Sequence, residues 1–279
     1  MNDILKDIKF TKEVMKGCSS SFGIQDNGDF YNKIYMSSNE DILGILSNFD
    51  IKNKDVLTVI GSGDQPLFFY NLLANKVDIF DINKFAIYYF YIRVWTIKYL
   101  NQYYPDILFN KNFLDNLLNV VIPNNSYEEY VLNYWKRYNE LFSFEDTIKL
   151  SCGYGYRKFE NCFCNLSIIN NGLEHRFPNI YNCDISSENN IEGLYDIIYT
   201  SNLSDYIYDV EGMNLYCRNL SKLLKKDGAV ICSNVVYDGI GELELDVMKK
   251  VFDYYQLPQV LTSSKKEPCS LGYYYKFKR

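Results

Sequence analysis

One segment constrains the fold more than any other. Residues 54–64, KDVLTVIGSGD, run from polar residues into a short unbroken apolar stretch that ends on Gly61-Ser62-Gly63-Asp64. Unbroken apolar runs of this length are buried on both faces, the pattern of a strand inside a parallel sheet. QPLFFYNLLANK then spaces its apolar residues as a helix, and VDIFDIN, residues 77–83, is a second buried strand. Strand, glycine turn, helix and strand within about 30 residues make a right-handed βαβ unit.

The alternation breaks after Lys84. FAIYYFYIRVWTIKYL, NFLDNLLNVV and SYEEYVLNYWKRYNELF all space apolar residues near 3.6, which predicts a helical insertion over about 84–150. Residues 151–172, rich in Gly, Asn, Cys and aromatics, receive no assignment. Strand and helix patterns then resume with NIYNCD, YDIIYTSN, EGMNLYCRNLSKLLKK, GAVICSNVV and LELDVMKKVFDYY, and QVLTSS with LGYYYKFKR reads as a closing antiparallel pair. The expected fold is a doubly wound, mostly parallel, seven-stranded α/β sheet of Rossmann-like type. Residues 1–50 read as short helices covering the site, and residues 51–279 as the ligand-binding domain, insertion included.

Composition narrows the partners. The net charge is −6, the pI is near 5.0 and no block of like charge occurs, so the basic footprint of a nucleic-acid binder is missing. The N-terminus has no secretory h-region and no stretch reaches membrane-spanning length, which predicts a cytoplasmic protein without a stable membrane anchor. Eight cysteines in such a setting are expected to be reduced. Cys152, Cys162 and Cys164 lack the paired spacing of a zinc site, and the single histidine, His175, sits in a polar stretch, so no metal is expected. The 27 Tyr and 18 Phe fill core positions or line a cavity for an apolar or aromatic small-molecule acceptor.

Candidate binding residues follow from the sheet. Ligands of open parallel sheets bind beyond the carboxyl ends of the strands, where strand order reverses. Gly61 and Gly63 allow a sharp turn and close approach of a ligand. A dinucleotide fingerprint requires a third glycine where Pro66 stands, and Asp64 repels a pyrophosphate while suiting an ammonium or sulfonium. Asp81, with Ile82 beside it, ends the second strand, where a carboxylate accepts from both ribose hydroxyls; alternatively it caps the helix starting near Lys84. Asp184 and the backbone of Ile185 either face an adenine ring or form a plain Asx turn. The polar loop after YDIIY places Ser201, Asn202, Asp205 and Tyr206 over the sheet edge next to the transferred group, and Asp205, Tyr206 or Asp238 is positioned to accept a proton.

Taken together, VLTVIGSGD…VDIFDIN, the long helical insert and YDIIYTSNLSDYI resemble class I S-adenosylmethionine (SAM)-dependent methyltransferases. More narrowly they are similar to an uncharacterised bacterial group related to the transferase that moves the 3-amino-3-carboxypropyl group of SAM to diacylglycerol. That resemblance spans roughly residues 30–237. It implies that Gly61, Ser62 and Gly63 meet the amino-acid end of SAM, Asp81 its ribose, Asp184 its adenine and Asn202 its sulfonium. It also implies that SSNED, residues 37–41, closes over the methionine carboxylate. Methyl transfer is the favoured chemistry. Aminocarboxypropyl transfer releasing 5′-methylthioadenosine, and a non-catalytic SAM sensor, are the alternatives.

Overall fold

The computed structural model describes residues 2–17, 24–26, 29–38, 40, 42–104, 106–152, 165–187, 189–234, 241–256 and 273–278. The chain divides into two compact units. One holds residues 1–38, 60–63 and 81–170, and the other residues 39–59, 64–80 and 171–279.

The first unit begins with helix α1 (Asn2–Lys16), strands β1 (Ile24–Asp26), β2 (Asp29–Tyr31) and β3 (Ile34–Tyr35). Where short helices separated by a polar stretch were expected, β1 and β2 pair antiparallel with Asp26 opposite Asp29. Asn27-Gly28 falls between them, a dipeptide strongly favoured in two-residue hairpin connections, and the β-forming Phe30-Tyr31 follows. Later in the chain come α4 (Lys84–Leu100), α5 (Lys111–Val120), α6 (Ser126–Leu141) and α7 (Phe144–Leu150), as the helical insertion predicts, and β6 (Ser151–Cys152) pairs parallel with β3.

Helix α4 is buried on nearly every side, which fits a sequence with no polar face. Asn83 caps its start, accepting from the Phe85 N–H, and Asn101 ends it in the left-handed conformation (φ 50°). The aromatics form a network here: Phe10 stacks on Tyr31, and Tyr134 packs on Phe85 and Tyr88. Their hydroxyls need buried acceptors, and the Asp7 carboxylate accepts from Tyr31 (2.7 Å), Tyr88 (2.6 Å) and Tyr130.

In the second unit α2 (Ile42–Leu46) precedes β4 (Asp55–Val59), α3 (Asp64–Asn71) and β5 (Lys76–Asp81), whose last residue groups with the first unit. Helix α8 (Leu166–His175), which groups with the first unit through Asn170, leads to β7 (Ile180–Asn182) and β8 (Tyr195–Ser201); α9 (Val210–Leu223), β9 (Leu224–Asn234), α10 (Gly241–Val251), β10 (Asp253–Gln256) and β11 (Tyr273–Lys278) follow. The spatial order is β10-β11-β9-β8-β4-β5-β7. The pairs β5–β4, β4–β8 and β8–β9 are parallel, whereas β9–β11 and β11–β10 are antiparallel. From β4 the chain builds outward through β5 on one side and through β8 and β9 on the other, so strand order reverses between β4 and β8.

Several boundaries differ from the sequence reading: the helix expected over EGMNLYCRNLSKLLKK ends at Leu223, and Leu224 opens β9. The helix expected over LELDVMKKVFDYY stops at Val251, and its last residues, aromatic and β-favouring, form β10 instead. QVLTSS, expected in the closing pair, lies outside the described residues; β10 pairs antiparallel with β11. The core of this unit packs Leu57, Phe80, Ile198 and Val230 of the sheet against Met213, Tyr216 and Leu220 of α9 and Met248 of α10.

Candidate functional site

The glycine turn follows β4 directly. Gly61 and Gly63 have φ values of +53° and +82°, and the Gly63 N–H donates to Ile60 O at 2.7 Å, closing the turn. A Cβ built on Gly63 meets Phe90 Cδ2 at 3.5 Å and Arg93 Cγ at 3.6 Å, ordinary contact distances. The backbone angle, rather than lack of space, is what demands glycine here. Ser62 and Asp64 are both buried, and Asp64 is the first residue of α3, where a carboxylate suits the positive end of the helix.

Asp81 ends β5 with 8% of its surface exposed. Its carboxylate accepts from the Gly61 N–H (3.1 Å) and the Asn83 N–H (2.8 Å). Burial pushes its pKa up to about 7, more than those two amides pull it down. The alternative reading, Asp81 as the cap of α4, is answered by the geometry: the capping side chain is Asn83. Ile82, between them, is half-buried.

Two residues that the sequence reading missed brace the same turn. Arg93, only 1% exposed, donates from Nη1 to Ser62 O (3.3 Å) and Met36 O (3.2 Å), and its guanidinium lies over the Tyr103 ring. The available signal was a lone cation in the otherwise apolar run FAIYYFYIRVW. Asn83, besides capping α4, accepts from the Asn32 N–H and donates to Lys33 O at 2.9 Å, which ties the N-terminal segment to the end of β5.

In the second unit the notable group lies at the carboxyl end of β8. Ser201 closes the strand at φ +54°, and an extra residue on β8 bulges the β8–β9 pairing between Tyr199 and Ser201. Glu40, 2% exposed, accepts from the Tyr199 hydroxyl (2.7 Å) and the Ser201 hydroxyl (2.8 Å). Glu40 falls within the SSNED stretch, but nothing in the sequence marks its partners. Asn202 precedes a single 3-10 turn, Leu203–Tyr206, and its Oδ1 lies 3.4 Å from Ser201 Oγ. Tyr206 is 47% exposed, and the Asp205 side chain lies outside the described residues, as do Asp238, Cys162 and Cys164.

Asp184 accepts from the Ser186 N–H (2.8 Å) and hydroxyl (2.6 Å), the geometry of an Asx turn. Ile185 is buried in the core, its carbonyl taken by Asn219. His175 is exposed at the end of α8. Among the described residues no cluster of His, Cys, Asp or Glu could hold a metal, and no helix is long and apolar enough to cross a membrane. A depression of about 790 Å³ on α9 and α10 contains none of these residues and brings no buried polar groups together.

No family model and no curated protein sequence matches the chain. Solved structures similar to it include an N-methyltransferase, NodS, from Bradyrhizobium japonicum with S-adenosylhomocysteine (11% identity, 85% of this chain and 83% of that one, TM-score 0.40). Others are magnesium protoporphyrin IX methyltransferase from Synechocystis with SAM (9%, 85% and 76%, 0.44) and an rRNA methylase from Streptococcus thermophilus (9%, 86% and 92%, 0.40). The narrower likeness to aminocarboxypropyl transferases finds no support among these structures.

Proposed function

We propose that this protein is a SAM-dependent methyltransferase acting on a small-molecule acceptor. The observation that supports it best is the pairing of the left-handed glycine turn with the buried Asp81 carboxylate immediately behind it, following two adjacent parallel strands. A carboxylate offers about four lone-pair sites with one oxygen turned to each of two amides, and a carboxylate at the end of this strand has the acceptor chemistry that a ribose diol calls for. The acid at position 64 and the missing third glycine suit a cationic nucleoside better than a pyrophosphate.

In this reading Gly61, Ser62 and Gly63 meet the methionine end of SAM, Asp81 and Ile82 its ribose, and Asp184 and Ile185 its adenine. Ser201, Asn202 and Tyr206 face the transferred group, and residues 1–50 cover the site. SAM supplies an electrophilic methyl on a sulfonium. The chain's own residues orient it, keep water away and hold the acceptor in line, which is where most of the acceleration of such a transfer arises. The net charge of −6 and the lack of a basic stripe in the sequence favour a small acceptor over nucleic acid.

Calorimetric titration with SAM and with S-adenosylhomocysteine tests the cofactor; binding of neither by the wild-type protein refutes the reading. Incubation with SAM and cell extract tests the chemistry. S-adenosylhomocysteine as by-product supports methyl transfer, whereas 5′-methylthioadenosine shows that the aminocarboxypropyl group moves instead.

A further inference from the structure

Ser201 occupies a backbone region that a serine enters only when its surroundings impose it. The imposing group is identifiable. The bulge between Tyr199 and Ser201 interrupts the regular alternation of β8, yet both hydroxyls reach a single carboxylate, Glu40, which accepts with one oxygen each. Tyr199 is fully buried and packs edge-on against Phe69 of α3, which makes it a rigid anchor for that carboxylate. Ser201 is thereby held at the bulge, and the bulge aims the residues after it.

We propose that Glu40 is a positioning residue: its carboxylate clamps the bulge at the end of β8 and so sets the direction of the Asn202–Tyr206 loop that faces the transferred group. The role of that loop rests on the methyltransferase reading, whereas the clamp itself does not. Glu40 acts through Ser201 and needs no contact with cofactor or acceptor. Without it the left-handed backbone at 201 relaxes, and the loop spends only part of its time in the competent arrangement. Apparent affinity falls by that fraction.

The test uses Glu40→Ala, Ser201→Gly and the double variant, each checked for native circular dichroism, with SAM and S-adenosylhomocysteine as probes. Glu40→Ala is expected to weaken both ligands about tenfold, the result of a loop competent one-tenth of the time. Glycine enters the left-handed region at no steric cost, so Glu40→Ala made in the Ser201→Gly background is expected to cost far less than it does in wild type. A merely structural contribution of Glu40 would cost as much in either background. Hydrogen exchange reads the clamp without any ligand: the Ile207 amide, bonded to Ser204 O at 3.0 Å, should exchange faster in Glu40→Ala. Unchanged exchange, or an equal loss in both backgrounds from natively folded variants, overturns the clamp. If wild type binds neither probe, the cofactor reading fails while the exchange experiment still decides the clamp.

Discussion

Replacing Asp81 with asparagine separates what this residue does for stability from what it does for binding. Its carboxyl has a pKa near 7 in the folded protein against an ordinary 3.8, because burial disfavours the charge. Between those values the folded chain holds a proton that the unfolded chain has lost, so the stabilising contribution is complete below pH 3.8. It falls as pH rises and is gone above about 7. At 1.36 kcal/mol per pH unit the loss amounts to about 4 kcal/mol. The asparagine amide does not titrate, although it leaves one of the two backbone N–H donors facing an NH₂ group. Urea unfolding of both proteins, followed by circular dichroism from pH 4 to 8.5, should therefore show the variant gaining on wild type by about 4 kcal/mol up to pH 7 and no further. Ligand binding runs the other way. Ribose hydroxyls need the ionised carboxylate, so the wild-type Kd for SAM should fall nearly tenfold per unit up to pH 7, while Asp81→Asn binds about 1–3 kcal/mol more weakly at pH 8. Stability curves that stay parallel across this range refute the assignment of a buried, proton-holding Asp81.

Other substitutions probe separate parts of the structure. Gly63→Ala should cost about 1–2 kcal/mol, with Gly63→Asn milder because asparagine tolerates positive φ; equal losses in thermal unfolding would show that crowding, not the backbone, is decisive. Asp7→Ala removes the acceptor shared by three tyrosine hydroxyls, of which Tyr31 keeps Asp29 at 3.2 Å, and should lower stability by about 3 kcal/mol, read as a large drop in Tm. Lys225→Met removes ion pairs to Asp55 and Asp196, but at a site one-third exposed, so its effect should stay below about 1 kcal/mol in the same assay.

The parallel sheet and the glycine turn were legible because buried parallel strands read as unbroken apolar runs, and only a turn requiring positive φ spells Gly-x-Gly there. The insertion was legible for the same kind of reason, a sustained 3.6-residue period. The β1–β2 hairpin was not, since its three-residue strands are too short to show a period and its Asn-Gly lies inside a polar stretch. Glu40 and Arg93 escaped because their importance lies in partners 159 and 57 residues away, Tyr199 and Met36, which no local pattern encodes. The tyrosine excess, readable as a lined cavity or as plain core filling, includes in the first unit three buried or half-buried tyrosines whose hydroxyls converge on the Asp7 carboxylate.

Strand β11 follows β10 in the sequence, yet it lies between β9 and β10. Until residues 273–278 have been synthesised, Ala229–Asn234 of β9, apolar through Cys232, presents an open edge to any neighbouring chain. Mispairing of β11 should therefore show itself as self-association of newly made protein.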